Sequence, residues 1–407
     1  MSRYYAIRVT DPKTGEILVA NLNGKAGFIR VPFDVNTWTY SSLYAGGTPT
    51  TLASNNANAL SVSFDIPVGF LDAPLANSYV RIDGVSLQEI SQGSNLNGLN
   101  FMMVGGMAKG LPLANPVQIG PLCQGQILQC FGNWIGKDQY LAIYVQAGGS
   151  SATANQTTGN PPTASTLPIP TANGKAANIV FTWNPGQTMQ DALVQCLSVP
   201  FPQYGISGSI NPNLVNSGGM IKGHWFSRLT QLADWVKRAS LSMLGGYAPD
   251  LAEYMGVHMA LQGNTILLFD GTAQTKPKQI YIVDLIGQPT YSQPLQIQLT
   301  CVLRGDIKVG DFVAIPQGLL NIGPGAQVGY IPPPPIGGVN TAQVSIAFQG
   351  SYLVTGVRHV GDSRNCDGLA WVTTLDLLVT QPYDSGAAVA VQKVLANPNS
   401  SQFYLPR

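Results

Sequence analysis

Leu60-Ser61-Val62-Ser63-Phe64-Asp65-Ile66 is the stretch that decides the fold class. Its apolar residues fall at every second position. Side chains on a strand alternate between faces, so the stretch spells a strand with one face in a core and the other toward water. Working outward, the same signal recurs in short pieces. Tyr4-Tyr5-Ala6-Ile7-Arg8-Val9 and Ile17-Leu18-Val19-Ala20 flank Asp11-Pro12-Lys13-Thr14-Gly15-Glu16, where proline presets a turn and glycine supplies positive φ, which is a hairpin signal. Tyr79–Val85, Phe101–Val104, Gln126–Phe131 and Tyr140–Val145 follow, separated by Gly, Pro and Asn clusters. Short strands at such spacing predict an all-β barrel or sandwich over residues 1–147.

Residues 148–175 read GGSSATANQTTGNPPTASTLPIPTANGK. A segment this poor in large apolar side chains cannot offset its ordering entropy, so it is expected to be a loop or linker. Residues 176–275 are mixed, a small α+β region. Thr188-Met189-Gln190-Asp191 resembles a capping box and predicts a helix to about residue 198, with Ala192, Leu193, Cys196 and Leu197 on its apolar face. A second helix is predicted over 224–241, because Trp225, Leu229, Leu232, Trp235 and Val236 recur at three- and four-residue spacing. Gly256–Ala260 and Thr265–Phe269 then form a hairpin turning at Gln262-Gly263-Asn264. From 276 to 384 the pattern is β again, with candidate strands Ile280–Ile286, Ile297–Arg304, Phe312–Ile315, Val344–Phe348, Tyr352–Val357 and Trp371–Leu378. Pro332-Pro333-Pro334-Pro335 makes the 323–338 insert a stiff spacer, and 385–407 reads as a poorly packed tail.

Only 10% of the 407 residues are Asp, Glu, Lys or Arg, against about 25% in an ordinary soluble chain. Hydrophobic residues make up 45%, yet the richest apolar stretch, Phe101 to Trp134, is interrupted by Lys109, several Gly and three Pro. That excludes a membrane-spanning helix, which needs about 18 to 20 nearly unbroken apolar residues. Two explanations of low charge remain: a secreted protein with a Ser/Thr/Asn/Gln surface, or a subunit largely covered by neighbours. Met-Ser-Arg-Tyr-Tyr is no secretory leader, which favours the covered subunit. Net charge is +1 with charges scattered, so neither a nucleic-acid stripe nor a membrane-docking patch is expected. Cys123, Cys130, Cys196, Cys301 and Cys366 are odd in number and widely spaced, and read as small buried hydrophobes in a reducing compartment.

The chemistry search assigns no catalytic, cofactor or metal residue. Of three histidines, His224 stands at a predicted helix start and His258 in a predicted strand. His359 shares the segment 359–367 with Asp362, Cys366 and Asp367. A zinc site needs three or four converging ligands, and a tight turn is the plainer reading of that segment. There is no G-x-S-x-G elbow, P-loop or dinucleotide fingerprint. Paired carboxylates for glycan hydrolysis depend on the fold, so a secreted or virion-borne hydrolase of glycans or cell wall stays open as an alternative. Trp225 and Trp235 could form a binding platform, but their spacing makes core packing the expectation.

Three sets of short motifs carry a resemblance. The first is Tyr79-Val80-Arg81-Ile82-Asp83-Gly84-Val85-Ser86-Leu87, then Leu96-Asn97-Gly98-Leu99 and Gly105-Gly106-Met107-Ala108-Lys109-Gly110-Leu111-Pro112. The second is Phe131-Gly132-Asn133-Trp134-Ile135-Gly136. The third runs from Asp284-Leu285-Ile286-Gly287-Gln288-Pro289 through Val309-Gly310-Asp311-Phe312-Val313-Ala314-Ile315-Pro316 and Phe348-Gln349-Gly350-Ser351-Tyr352 to His359-Val360-Gly361-Asp362. In this order they resemble baseplate hub proteins of contractile-tailed bacteriophages, the family that also gives the hub portion of type VI secretion spikes. The resemblance implies a mainly β homotrimer with two tube-like antiparallel β-barrel domains, at 1–147 and 276–384. Such a trimer would join the sixfold tail tube to the threefold central spike and line the conduit for genome ejection. The implied partners are the tail tube or tube-initiator protein, the central spike, the tape-measure protein and other baseplate proteins. DNA would pass without specific binding. The implied location is the virion tail baseplate, assembled in the host cytoplasm, and no catalytic residue is implied. Another tail component, such as a tube or distal-tail protein, is the third reading.

Overall fold

We describe a computed structural model covering residues 3–21, 27–47, 49, 55–71, 77–107, 118–147, 179–201, 204–227, 229–244, 254–262, 265–272, 276–287, 289–293, 296–315 and 350–379. The 148–175 linker, the 323–338 insert, the Val344–Phe348 strand and the segment after Pro382 lie outside the described residues.

The chain is mainly β. The N-terminal part supplies β1 (Arg3–Thr10), β2 (Ile17–Ala20), β3 (Phe28–Val31), β4 (Tyr40–Ser41), β5 (Ser61–Val68), β6 (Ser78–Asp83), β7 (Asn100–Met107), β8 (Gly120–Ile135) and β9 (Asp138–Ala147). In β5 the expected alternation appears: Val62, Phe64 and Ile66 are buried while Ser61, Ser63 and Asp65 are half-buried. β8 and β9 form a long hairpin that turns at Gly136, whose φ of 62° suits glycine best. A short helix α1 (Leu87–Ser91) opens on a capping box in which Ser86 and Glu89 satisfy each other's backbone N–H.

The middle region holds β10 (Ile179–Trp183), α2 (Met189–Ser198), β11 (Gly205–Ser209), β12 (Lys222–Phe226), α3 (Leu229–Leu244), β13 (His258–Gln262) and β14 (Thr265–Phe269). The α2 helix matches its prediction: the Thr188 side chain accepts from the Asp191 N–H, and Ala192, Leu193, Cys196 and Leu197 are buried. The predicted helix over 224–241 is corrected. Residues 222–226 form β12, registered antiparallel on β10, and the helix begins only at Leu229. Ser227 marks the break, because the Gln231 side chain accepts from both its N–H and its hydroxyl. β10 and β12 form one small sheet; β11, β14 and β13 form another.

The last part adds β15 (Lys278–Gln279), β16 (Thr290–Gln293), β17 (Gln296–Val302), β18 (Phe312–Ile315), β19 (Gly350–Asp362) and β20 (Trp371–Val379). The predicted strand Ile280–Ile286 is also corrected. Only Lys278 and Gln279 pair as strand, and Ile282–Asp284 is a 3-10 turn closed by the Asp284 N–H on the Tyr281 carbonyl at 3.0 Å. That turn swings the Asp284 carboxylate into the interior, where a continued strand would have left it in the ladder.

One sheet runs through the first and last described parts, in the order β16-β17-β20-β19-β5-β6-β9-β8-β7-β1-β2-β3. The joint is the antiparallel β19–β5 pair, from Val357 opposite Val68 to Asp362 opposite Ser63. Glycine makes this joint possible. A Cβ on Gly361 would stand 2.2 Å from the Phe64 ring, which itself packs edge-on to Trp371 at 5.1 Å. Gly361→Ala is therefore expected to lower stability by roughly 1–3 kcal/mol through overpacking. A double-mutant cycle with Phe64→Leu should recover part of that loss; additive losses would show the ring is not the cause.

Candidate functional site

Two features distinguish the middle of the long sheet, one on each side. On the water side, side chains from the first and last described parts form a continuous face whose arginines are paired with carboxylates. Registered pairing aligns Asp65, Tyr79 and Tyr144 in one row across β5, β6 and β9. The Tyr79 and Tyr144 rings lie 5.2 Å apart, and Phe131 of β8 meets Tyr144 edge-on at 6.2 Å. Two arginines of this face are held by neighbouring carboxylates. Arg358 makes two bonds to Asp65 at 2.8 and 2.5 Å, and Arg81 makes two to Asp83 at 2.8 and 2.6 Å while lying 3.9 Å over the Tyr140 ring. Hydrogen bonding to Asp65 and to Asp83 raises the pKa of Arg358 and Arg81 respectively. Toward β17 the face continues as Gln298, which donates to Asp376 at 3.1 Å, and the Thr300–Thr374 contact at 3.5 Å.

On the other side lies a buried polar seam that holds Asp284 and His359 of the third motif set. Arg304 is buried and bonds both oxygens of Asp306, at 2.7 and 2.8 Å, and Asp284 at 3.4 Å. Asp284 also accepts from Gln118 of the N-terminal part at 3.0 Å. Burial opposes the Arg304 charge, but its bonds to Asp306 and the nearby carboxylates outweigh that and raise its pKa. The Arg304 N–H donates at 2.9 Å to the Thr373 hydroxyl, which in turn lies 2.9 Å from His359 Nδ1. With its oxygen already accepting, that hydroxyl can give its own proton to Nδ1, which suits a neutral imidazole protonated at Nε2. Nearby, Lys278 Nζ bonds Asp311 at 2.6 Å. The chains close up here as well, since a Cβ on Gly120 would be 2.3 Å from the Gly305 carbonyl oxygen.

The residues singled out in sequence divide accordingly. His359 lies inside β19 and is buried, so the 359–367 segment is not one loop; the turn proper starts after Asp362. Asp362 accepts from the Arg364 and Asn365 N–H groups at 3.0 and 3.2 Å, and Asp367 accepts from the Leu369 N–H at 3.0 Å. Both carboxylates are thus occupied in shaping the turn. Cys366 is exposed, which corrects its reading as a buried hydrophobe, whereas Cys123, Cys130, Cys196 and Cys301 are buried. A cavity of about 230 Å³ where the three regions meet is lined by Cys123 and His359. Burial lifts the Cys123 thiol to about 12, so it stays protonated and a poor metal ligand. Among the described residues no group of three His, Cys, Asp or Glu side chains could hold a metal. His258 opens β13 and stacks on Phe70 at 4.3 Å. Trp225 is corrected: it is 69% exposed. Its strand places it opposite Val180 on the outer face, while His224 and Phe226 turn inward onto Trp235 at 4.5 and 5.7 Å. Arg304 was readable only as the end of a strand, because its partners lie 20 and 2 residues away and the Gln118 that completes the seam is remote in sequence.

No protein-family model matches this sequence, and no curated protein matches it significantly. Solved structures to which the chain is similar include a tail protein from Neisseria meningitidis MC58, with a TM-score of 0.41, 10% identity, and coverage of 80% of this chain and 97% of that one. A second is the 43 kDa tail protein of prophage MuSo2 from Shewanella oneidensis, with a TM-score of 0.39, 8% identity, and coverage of 80% and 96%. A third is a chain of a lidless PdpA–VgrG complex, with a TM-score of 0.39, 8% identity, and coverage of 94% and 66%.

Proposed function

We propose that this chain is a structural component of a phage-type tail, a homotrimeric baseplate hub that joins tube to spike and lines the conduit between them. The observation that carries the reading is the outer face of the long sheet, where Arg81 and Arg358 are both tied to carboxylates. A passage for nucleic acid works against itself if free lysines or arginines grip phosphates, because each contact adds affinity through counterion release. Here Arg81 and Arg358 are on that face and each is bound by its own carboxylate. The ordered motifs and the low overall charge support the same reading. In it, the N-terminal and C-terminal β regions are the two tube-like domains of each subunit, three subunits supply six, and the middle region sits off the ring. The hub acts by fit and passage, without catalysis.

Light scattering on the purified chain is expected to give a multiple of three times 43.1 kDa; a stable monomer at micromolar concentration sinks the hub. The conduit is tested separately. Asp65→Asn with Asp83→Asn frees both arginines, and DNA should then be retained with an affinity that falls as salt rises. The fall should reach about 0.9 logarithmic units per tenfold salt for each phosphate that a freed arginine neutralises. The unaltered protein should show no such retention. Steep salt-dependent binding by the unaltered protein would overturn the conduit.

A further inference from the structure

The middle region carries a surface that the hub reading leaves unused. β12 is exposed from Lys222 to Trp225, and among the described residues nothing pairs with its outer edge. A two-stranded sheet is marginal in water, and proteins usually guard such an edge with proline, a bulge or charge. The one charge on β12, Lys222, is drawn over the Trp183 ring at 5.3 Å, which leaves the rest unguarded.

The outer face of this sheet is apolar. Trp225 is 69% exposed and Val180, its registered neighbour, 63%; Ile221 and Met220, which lead into the strand, are 63% and 83% exposed. Their exposed area is on the order of 500 Å², at the upper end of the largest apolar patch on a typical monomer.

We propose that β12 pairs antiparallel with β12 of a second copy of this chain, centred on His224, to make a four-stranded sheet β10-β12-β12-β10. The strand is complementary to itself in this register. Trp225 falls opposite the partner's Gly223, on the same outer face. Gly223 has no atom within 4 Å of where a Cβ would stand, so the space the indole needs is open. Lys222 falls opposite the partner's Phe226, so no like charges meet across the pair. The largest side chain of the strand meets the smallest, as expected of a strand whose partner is itself. This pairing goes beyond the hub reading, since it joins copies through the middle region and needs no ring.

In the centred register residue 224 meets its own counterpart, which makes a charge swap decisive. His224→Lys and His224→Glu each place like charges face to face, and each is expected to halve the assembly mass measured by light scattering. An equimolar mixture of the two variants should restore the original mass. Trp225→Lys, at an exposed position that the fold does not need, should halve it as well. Masses falling from six chains to three support both the pairing and the trimer. A fall from two to one keeps the pairing and rejects the trimer. Three chains before and after substitution keeps the trimer and overturns the pairing, as does failure of the mixture to restore mass.

Discussion

Replacing Arg304 with alanine is expected to remove about 3–5 kcal/mol of stability, the usual consequence of stranding buried charge without its partner. Two carboxylates lose their cation together. Asp284 and Asp306 have side chains only 3% and 16% exposed, so water cannot compensate them. The backbone N–H of residue 304, which donates to the Thr373 hydroxyl, is retained by alanine, so the loss is that of the guanidinium. Arg304→Lys should recover a fraction, since an ammonium supplies the charge but not the planar fork that serves both oxygens of Asp306. Arg304→Met combined with Asp284→Asn and Asp306→Asn should lie well above the alanine variant, because no unpaired charge remains. Urea unfolding of the four proteins checks the order. If alanine costs less than about 1 kcal/mol, the seam does not hold the two ends of the sheet together.

The second large effect is acid sensitivity at His359. Burial holds its pKa down to about 4, against a smaller upward pull from Asp306. In the unfolded chain the imidazole returns to its ordinary value near 6.5. Between these values the unfolded chain binds a proton that the folded chain refuses. The stabilisation is therefore complete above about pH 6.5 and disappears as pH falls toward 4, in total on the order of 3 kcal/mol. His359→Gln keeps an acceptor for the Thr373 hydroxyl but does not titrate. Stability measured by urea unfolding at pH 7 and pH 4 should fall less in this variant than in the unaltered protein. Parallel losses would show that His359 is already protonated at neutral pH or is hydrated in the fold.

Much of the β architecture was legible because its cause is local. β5 alternates every second residue, and the hairpin of β1 and β2 is announced by its own turn, so neither needs a distant partner to be recognised. β12 was not legible. Trp225 sits at a spacing from Leu229 and Trp235 that suits a helix, and what makes it a strand residue is β10, more than forty residues away. Asp284 reads as a strand residue because its neighbours are apolar, while the partners of its buried carboxylate, Arg304 and Gln118, lie elsewhere in the sequence. The seam illustrates the same limit. Gln118, Asp284, Arg304 and His359 have nothing in common in sequence, and they become one site only when β19 lies down beside β5. Cys366 misleads for a simpler reason: in a short polar turn a cysteine has no core to enter.

That β19–β5 joint also sets a timetable. Arg358 and Asp65, which face each other across it, are 293 residues apart. At roughly 5–20 residues per second, a ribosome takes on the order of 15–60 seconds to supply the second strand after making the first. Through that interval the backbone groups of β5 that will later meet β19 have no partner, and its apolar face awaits Trp371, which packs against Phe64. Truncations that end before residue 350 should expose a strand edge that is prone to pair with whatever chain is nearest.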